Sequence, residues 1–143
     1  MTSTAAPTLN PQILGQAEMA HKPFLERILA PTGTTMNQWV ALKLTAVSGG
    51  AADRDQLINR IAGALKIDDA AVLAVIAELT TAELLTDLPG QKLGFTDAGQ
   101  ALYQQINSAT GEIIARVYGD IPVEDLTTAA RVLTIITDRL NAE

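Results

Sequence analysis

A mainly α-helical domain is the fold class this sequence predicts, with a compact group of helices and one short β-hairpin set between longer helices at the two chain ends. Three observations predict it. Apolar residues recur at three- and four-residue steps along most of the chain, small polar residues stand where those stripes begin, and only around Pro89-Gly90 does the period shorten to strand alternation. The 143 residues suit a single domain that buries about 68% of its unfolded surface. The expected layout is a disordered tail over 1–8 and one domain over 9–143, with a central unit at 34–96 between end helices at 9–33 and 97–143.

The tail is small and polar with no periodicity, so burial cannot offset the entropy of ordering it. From Leu9, Ile13, Ala17, Ala20, Phe24 and Ile28 draw one stripe along a helix that ends at Pro31 and Gly33. Pro23 interrupts the stripe and is expected to kink the helix or start a second piece. Thr34 or Thr35 caps the next helix, with Met36, Trp39, Val40, Lys43 and Val47 on one face, and Ser48-Gly49-Gly50 stops it.

Asp53 stands three residues before Gln56, an N-cap pairing, and Leu57, Ile61 and Leu65 with Ile58 and Ala62 form the inward face of a third helix. After Lys66-Ile67, Asp68 restarts the pattern with Val72, Ile76 and Leu79 inward. Two short helices so closely joined form a helix-turn-helix. Leu85 to Asp87 and Lys92 to Phe95 are expected as two short strands; a Pro-Gly turn twists the wrong way for a two-residue hairpin, so a loop of about four residues and a weak ladder are expected. Thr96 caps a long helix with Leu102, Ile106, Ala109, Ile113 and Val117 inward, ended by Gly119 and Pro122. In the last helix Leu126, Ala129, Leu133, Ile136 and Leu140 follow the spacing of a packed helical seam. That seam either covers the domain's own core or joins two copies. The end helices carry more apolar surface than a small central unit can cover, which favours a homodimer.

This order of elements is that of a winged helix between dimerisation helices, and several stretches resemble the MarR family of bacterial transcription regulators. Thr34-Thr35-Met36-Asn37-Gln38-Trp39-Val40-Ala41-Leu42 resembles its "LT…QW…L" signature. Ile61 to Val72 is similar to "LAERLGLSPSTV", and Phe95 to Leu102 to "LTEAGRAL". The resemblance implies a dimer whose second helix-turn-helix helix enters the DNA major groove, half-sites about one helical turn apart, and a small-molecule pocket between the dimer helices and the winged unit. Arg54, Asn59, Arg60 and Lys66, with Gln91 and Lys92 on the wing, are the expected DNA contacts. His21, Phe24, Met36, Trp39 and Tyr103 are the candidate pocket residues for an apolar or aromatic ligand, although the aromatics at helical spacing are core residues first.

The residue chemistry sets a limit on that function. Asp69, Ala70, Ala71, Leu73, Ala74, Ala77 and Glu78 are the expected groove-facing positions, and none is basic. From Asp53 to Thr96 four Lys/Arg face seven Asp/Glu, 4 − 7 = −3, and the whole chain carries −6. The wing Leu88-Pro89-Gly90-Gln91-Lys92 is short and lacks the arginines usual in the family. The alternative is therefore a MarR-like dimer that has lost specific DNA binding and acts as a protein- or ligand-binding module, with the Ala/Leu face binding protein.

Other chemistry finds little support. Zero Cys and one His exclude thiolate metal sites and thiol catalysis. His21 could hold a metal with Glu18, but is read first as a partly exposed helix residue. Ser3, Ser48 and Ser108 lie in no nucleophile elbow, and Gly49-Gly50 leads into Ala-Ala-Asp where a phosphate-binding loop needs Gly-Lys. No enzyme activity and no cofactor are expected. The longest apolar run, Ala70 to Ala77, is eight residues where a membrane span needs about 20, so a cytoplasmic protein without membrane contact is expected.

Overall fold

The computed structural model describes residues 7–143; of the tail expected over 1–8, residues 1–6 lie outside the described residues. The elements run α1 (Pro11–Leu29), a 3₁₀ turn (Ala30–Thr32), α2 (Met36–Val47), β1 (Ala51–Asp53), α3 (Arg54–Leu65), α4 (Asp69–Thr81), β2 (Leu85–Leu88), β3 (Lys92–Phe95), α5 (Asp97–Tyr118) and α6 (Val123–Asn141). Two compact units divide the chain between Thr110 and Gly111, within α5.

Helix α1 begins where the Asn10 side chain accepts from the Ile13 N–H at 2.9 Å and Pro11 takes a first-turn position that needs no donor. It runs on through Pro23 as one helix, so no second piece starts there. Pro23 and Met19 are both exposed, so the carbonyl that loses its partner faces water.

Thr35 caps α2 in a reciprocal box with Gln38, each side chain bonded to the other's backbone N–H at 3.1 Å. The buried face of α2 is Trp39, Ala41, Leu42 and Thr45, whereas Lys43 is exposed and Val47 is 73% exposed. The expected stripe was therefore turned. Both α3 and α4 pack against α2, and Thr45 tolerates burial because its hydroxyl donates to the Ala41 carbonyl at 2.8 Å.

Asp53 and Asp68 cap α3 and α4 as their spacing predicts, accepting from Gln56 at 3.1 Å and Ala71 at 2.8 Å. Leu57, Ile58 and Ile61 of α3 meet Val72, Val75, Ile76 and Leu79 of α4 in one core with Leu29, Trp39, Leu42, Leu85, Leu93 and Ile106. Val75 is an addition to the expected set.

A three-stranded antiparallel sheet in the order β1-β3-β2 replaces the expected two-stranded hairpin. Leu85 to Leu88 pair residue for residue with Phe95 to Lys92, and the loop is three residues, Pro89-Gly90-Gln91. Gly90 at φ 78° and Gln91 at φ 58° both take left-handed backbone, giving the reversal that a two-residue Pro-Gly turn could not. The ladder is regular because β1 supports its other edge, with Ala51 opposite Gly94. A Cβ at position 94 would lie 2.7 Å from Leu88 Cδ1 and 2.8 Å from the Gly50 carbonyl oxygen, so only glycine fits there.

Thr96 joins the sheet to α5. Its hydroxyl donates to the Glu83 carbonyl at 2.6 Å and accepts from the Gly99 N–H at 2.9 Å, while its own N–H donates to the Leu84 carbonyl at 3.1 Å. Gly99 is buried there, and a Cβ on it would overlap the Leu84 carbonyl group. Gly99→Ala should therefore cost about 3 kcal/mol or more, because backbone rather than a side-chain tip must yield. Gly63→Ala, on α3 with nothing within 4 Å of a new Cβ, should instead gain about 0.5–1 kcal/mol. Urea denaturation of the two variants checks both signs.

Candidate nucleic-acid interface

Helices α3 and α4 are joined by Lys66-Ile67-Asp68. Lys66 makes the tight turn at φ 57°, its N–H bonded to the Ala62 carbonyl, and Asp68 starts α4 at once. Burial of Val72, Val75, Ile76 and Leu79 turns Asp69, Ala70, Leu73, Ala74, Ala77 and Glu78 outward, with Ala71 half-buried. Leu73 is 42% exposed. No Lys or Arg occurs from Asp69 to Thr81.

The six residues expected at DNA separate into groups. Arg54, Gln91 and Lys92 come together at the wing, where the Arg54 N–H donates to the Gln91 carbonyl at 2.9 Å and Asp53 stands opposite Lys92 in the ladder. The Arg54 guanidinium also meets the Asp87 carboxylate at 3.2 Å. These groups line an open depression of about 310 Å³ in which Arg54 and Lys92 face Asp53, Asp55 and Asp87. Arg60 lies apart, donating to the Ser48 hydroxyl at 2.8 Å beside Val47 and Gln56. Asn59 is exposed on α3 and Lys66 is exposed at the turn. The Arg54–Asp87 pair links residues 33 apart, so sequence spacing gave no sign that a wing carboxylate would hold the first cation of α3.

Of the candidate pocket residues, Trp39 and Tyr103 stack with ring centroids 5.6 Å apart and planes at 20°. Phe95, which sequence reasoning passed over as a strand residue, joins them with its ring 5.8 Å from Tyr103. Trp39 is 3% exposed and belongs to the core. Met36 lines an open cleft of about 570 Å³ with Lys22, Glu26, Leu29 and Thr34. His21 and Phe24 hold exposed positions on α1; His21 Nδ1 donates to the Ala17 carbonyl at 2.6 Å, and Arg27 lies 4.9 Å over the Phe24 ring.

In the unit from Gly111 to Glu143 no residue is buried. Leu126, Leu133 and Ile136 are half-buried, Ala129 is exposed, and Leu140 and Val123 are 68% and 76% exposed. Among the described residues no helix is long and apolar enough to cross a membrane, and no group of three or more His, Asp or Glu is placed to hold a metal.

No protein-family model matches the sequence, and no curated protein does. Solved structures match its fold over most of the chain. NadR in complex with 4-hydroxyphenylacetate is 23% identical, with 90% of this chain and 95% of that one covered at a TM-score of 0.73. A transcriptional regulator of the MarR family from Rhodococcus sp. RHA1 is 17% identical, with 87% and 91% covered at 0.71. The Mycobacterium tuberculosis MarR family protein Rv2887, in complex with DNA, is 18% identical, with 91% and 98% covered at 0.67. The chain has the winged-helix fold of transcriptional regulators, and within that class it is the fold of the MarR family.

The Arg54–Asp87 pair is exposed, so its contribution to stability is small. Asp87→Asn should move the free energy of unfolding by less than about 1 kcal/mol, as urea denaturation would measure.

Proposed function

We propose that this chain is a cytoplasmic, dimeric transcriptional regulator of MarR type that binds duplex DNA through its winged helix and is controlled by a small organic ligand. The observation that carries this reading is the helix-turn-helix of α3 and α4 with the β2–β3 wing beside it, in a fold that covers 91% of the chain in a comparison with a DNA complex. Helix α4 enters the major groove. Arg54, Asn59, Arg60 and Lys66 meet the backbone or groove edge, and Gln91 and Lys92 do so from the wing. Support for a ligand comes from the cleft beside Met36, which offers apolar walls with the Lys22 ammonium and the Glu26 carboxylate at its rim, and from a fold neighbour solved with 4-hydroxyphenylacetate.

Support for dimerisation comes from α6. A helix with no buried residue and with Leu126, Ala129, Leu133, Ile136 and Leu140 along one seam needs a partner surface, and a second copy supplies a matching one. Light scattering at micromolar concentration should give a dimer. Ile136→Asp should weaken it by about 100-fold or more, because an unpaired carboxylate would be buried in the seam.

The charge balance predicts how DNA is held. Four Lys/Arg per protomer between Asp53 and Thr96 limit a dimer to 2 × 4 = 8 phosphate contacts from this region, and Asp87 already engages Arg54. Duplex DNA should be retarded in about 50 mM salt, with a log–log salt slope no steeper than about −7. Asp87→Asn should tighten binding by releasing Arg54. Failure to retard any duplex, genomic fragments from beside its own gene included, would overturn the reading and leave the dimer to the alternative of a protein- or ligand-binding module.

A further inference from the structure

We propose that α4 reads its operator through the C5-methyl groups of thymine, with Leu73 at the centre of the reading surface; this rests on the regulator reading above and names the kind of site it selects. Ala70, Leu73, Ala74 and Ala77 follow the steps i, i+3, i+4 and i+7, so they share one face of α4, and all four are exposed. The four apolar residues that α4 commits to the core, Val72, Val75, Ile76 and Leu79, lie on its other side. Leu73 is thus a large apolar side chain left in water, 42% exposed, between alanines short enough to let the helix backbone come close to a groove floor.

The chemistry of base edges narrows what this face can recognise. Guanine N7 and O6, adenine N7 and thymine O4 accept hydrogen bonds, and reading them takes donors such as Arg, Lys, Asn, Gln or Ser. From Asp69 to Glu78 there are none. Asp69 and Glu78 accept only, which limits them to donors such as cytosine N4. Gln38, from α2, already donates its amide to Glu78 at 3.4 Å and accepts from the Thr35 N–H through its carbonyl oxygen. The remaining major-groove feature is the thymine methyl, and it is the one that an Ala and Leu surface complements. From Ala70 to Ala77 the helix rises seven steps of about 1.5 Å, which spans roughly three base steps of about 3.4 Å. Each half-site therefore centres on a short thymine-containing core.

The test uses a duplex selected from a random 20-base-pair library by repeated capture on the full-length protein. Thymines at its protected core are then replaced by deoxyuridine, which removes each methyl and leaves every hydrogen-bonding group in place. In about 50 mM salt, fluorescence anisotropy should show a loss of roughly fourfold per methyl removed, the worth of one buried methylene. Leu73→Ala, a change at an exposed position, should weaken the thymine duplex and shrink its advantage over the deoxyuridine duplex. Equal affinity for the two duplexes overturns the methyl reading while leaving the regulator intact, and so does an advantage that Leu73→Ala does not reduce. Capture of no duplex in any round overturns the regulator reading and this one with it, leaving the same face to a protein partner.

Discussion

The architecture of the first unit depends on one close backbone approach, that of Gly99 to the Leu84 carbonyl. The chain leaves α4 through Glu83 in left-handed backbone at φ 60°. Leu84 then presents its carbonyl to the Thr96 N–H while its neighbour Glu83 takes the Thr96 hydroxyl. These bonds bring the first turn of α5 so near the start of β2 that no side chain fits at position 99. Once that turn is fixed, the direction of α5 is fixed with it, and Leu102, Tyr103 and Ile106 reach the core formed by α2, α3 and α4. The sheet and α4 thereby share one core with the first half of α5.

Much of the fold was legible in the sequence because its signals are local. Caps are local, so Thr35, Asp53, Asp68 and Thr96 announced four helix starts through side chains that each accept from the N–H three residues ahead. Apolar stripes on α3 and α4 were legible too, because each of those helices has one buried side and one wet one. Helix α2 misled because it sits against several elements, and a stripe drawn through Lys43 and Val47 competed with the true one through Trp39, Leu42 and Thr45. Strand β1 was illegible for a different reason. Ala51-Ala52-Asp53 has neither β-branched nor aromatic residues, and becomes a strand only because Gly94 leaves room beside it.

The site was half legible. Which side of α4 faces outward followed from its period, and the lack of basic residues there needed no coordinates. The electrostatics of the wing did not follow, because charges that sum to −3 along the chain could have been well separated in space. Instead the β3 register sets Lys92 opposite Asp53, and Asp87 projects to Arg54, so two of the four cations of this region share a depression with three carboxylates. Phe95 joins the ring cluster through Tyr103, eight residues on, and only the stacking of Tyr103 on Trp39 of the distant α2 brings the three rings together.

Scarce cations and an apolar reading face have a joint consequence under the proposed function. Phosphate contacts supply most non-specific affinity for DNA and carry no sequence information. A surface poor in cations is held weakly on arbitrary DNA, which lowers the competition that genomic sequence poses to an operator. Methyl contacts act in the opposite way, since they are uncharged, insensitive to counterions, and present only where thymine is. A protein built like this has modest absolute affinity and still keeps a wide ratio between operator and background. That ratio decides occupancy, so the acidic balance that argues against tight DNA binding does not by itself argue against regulation.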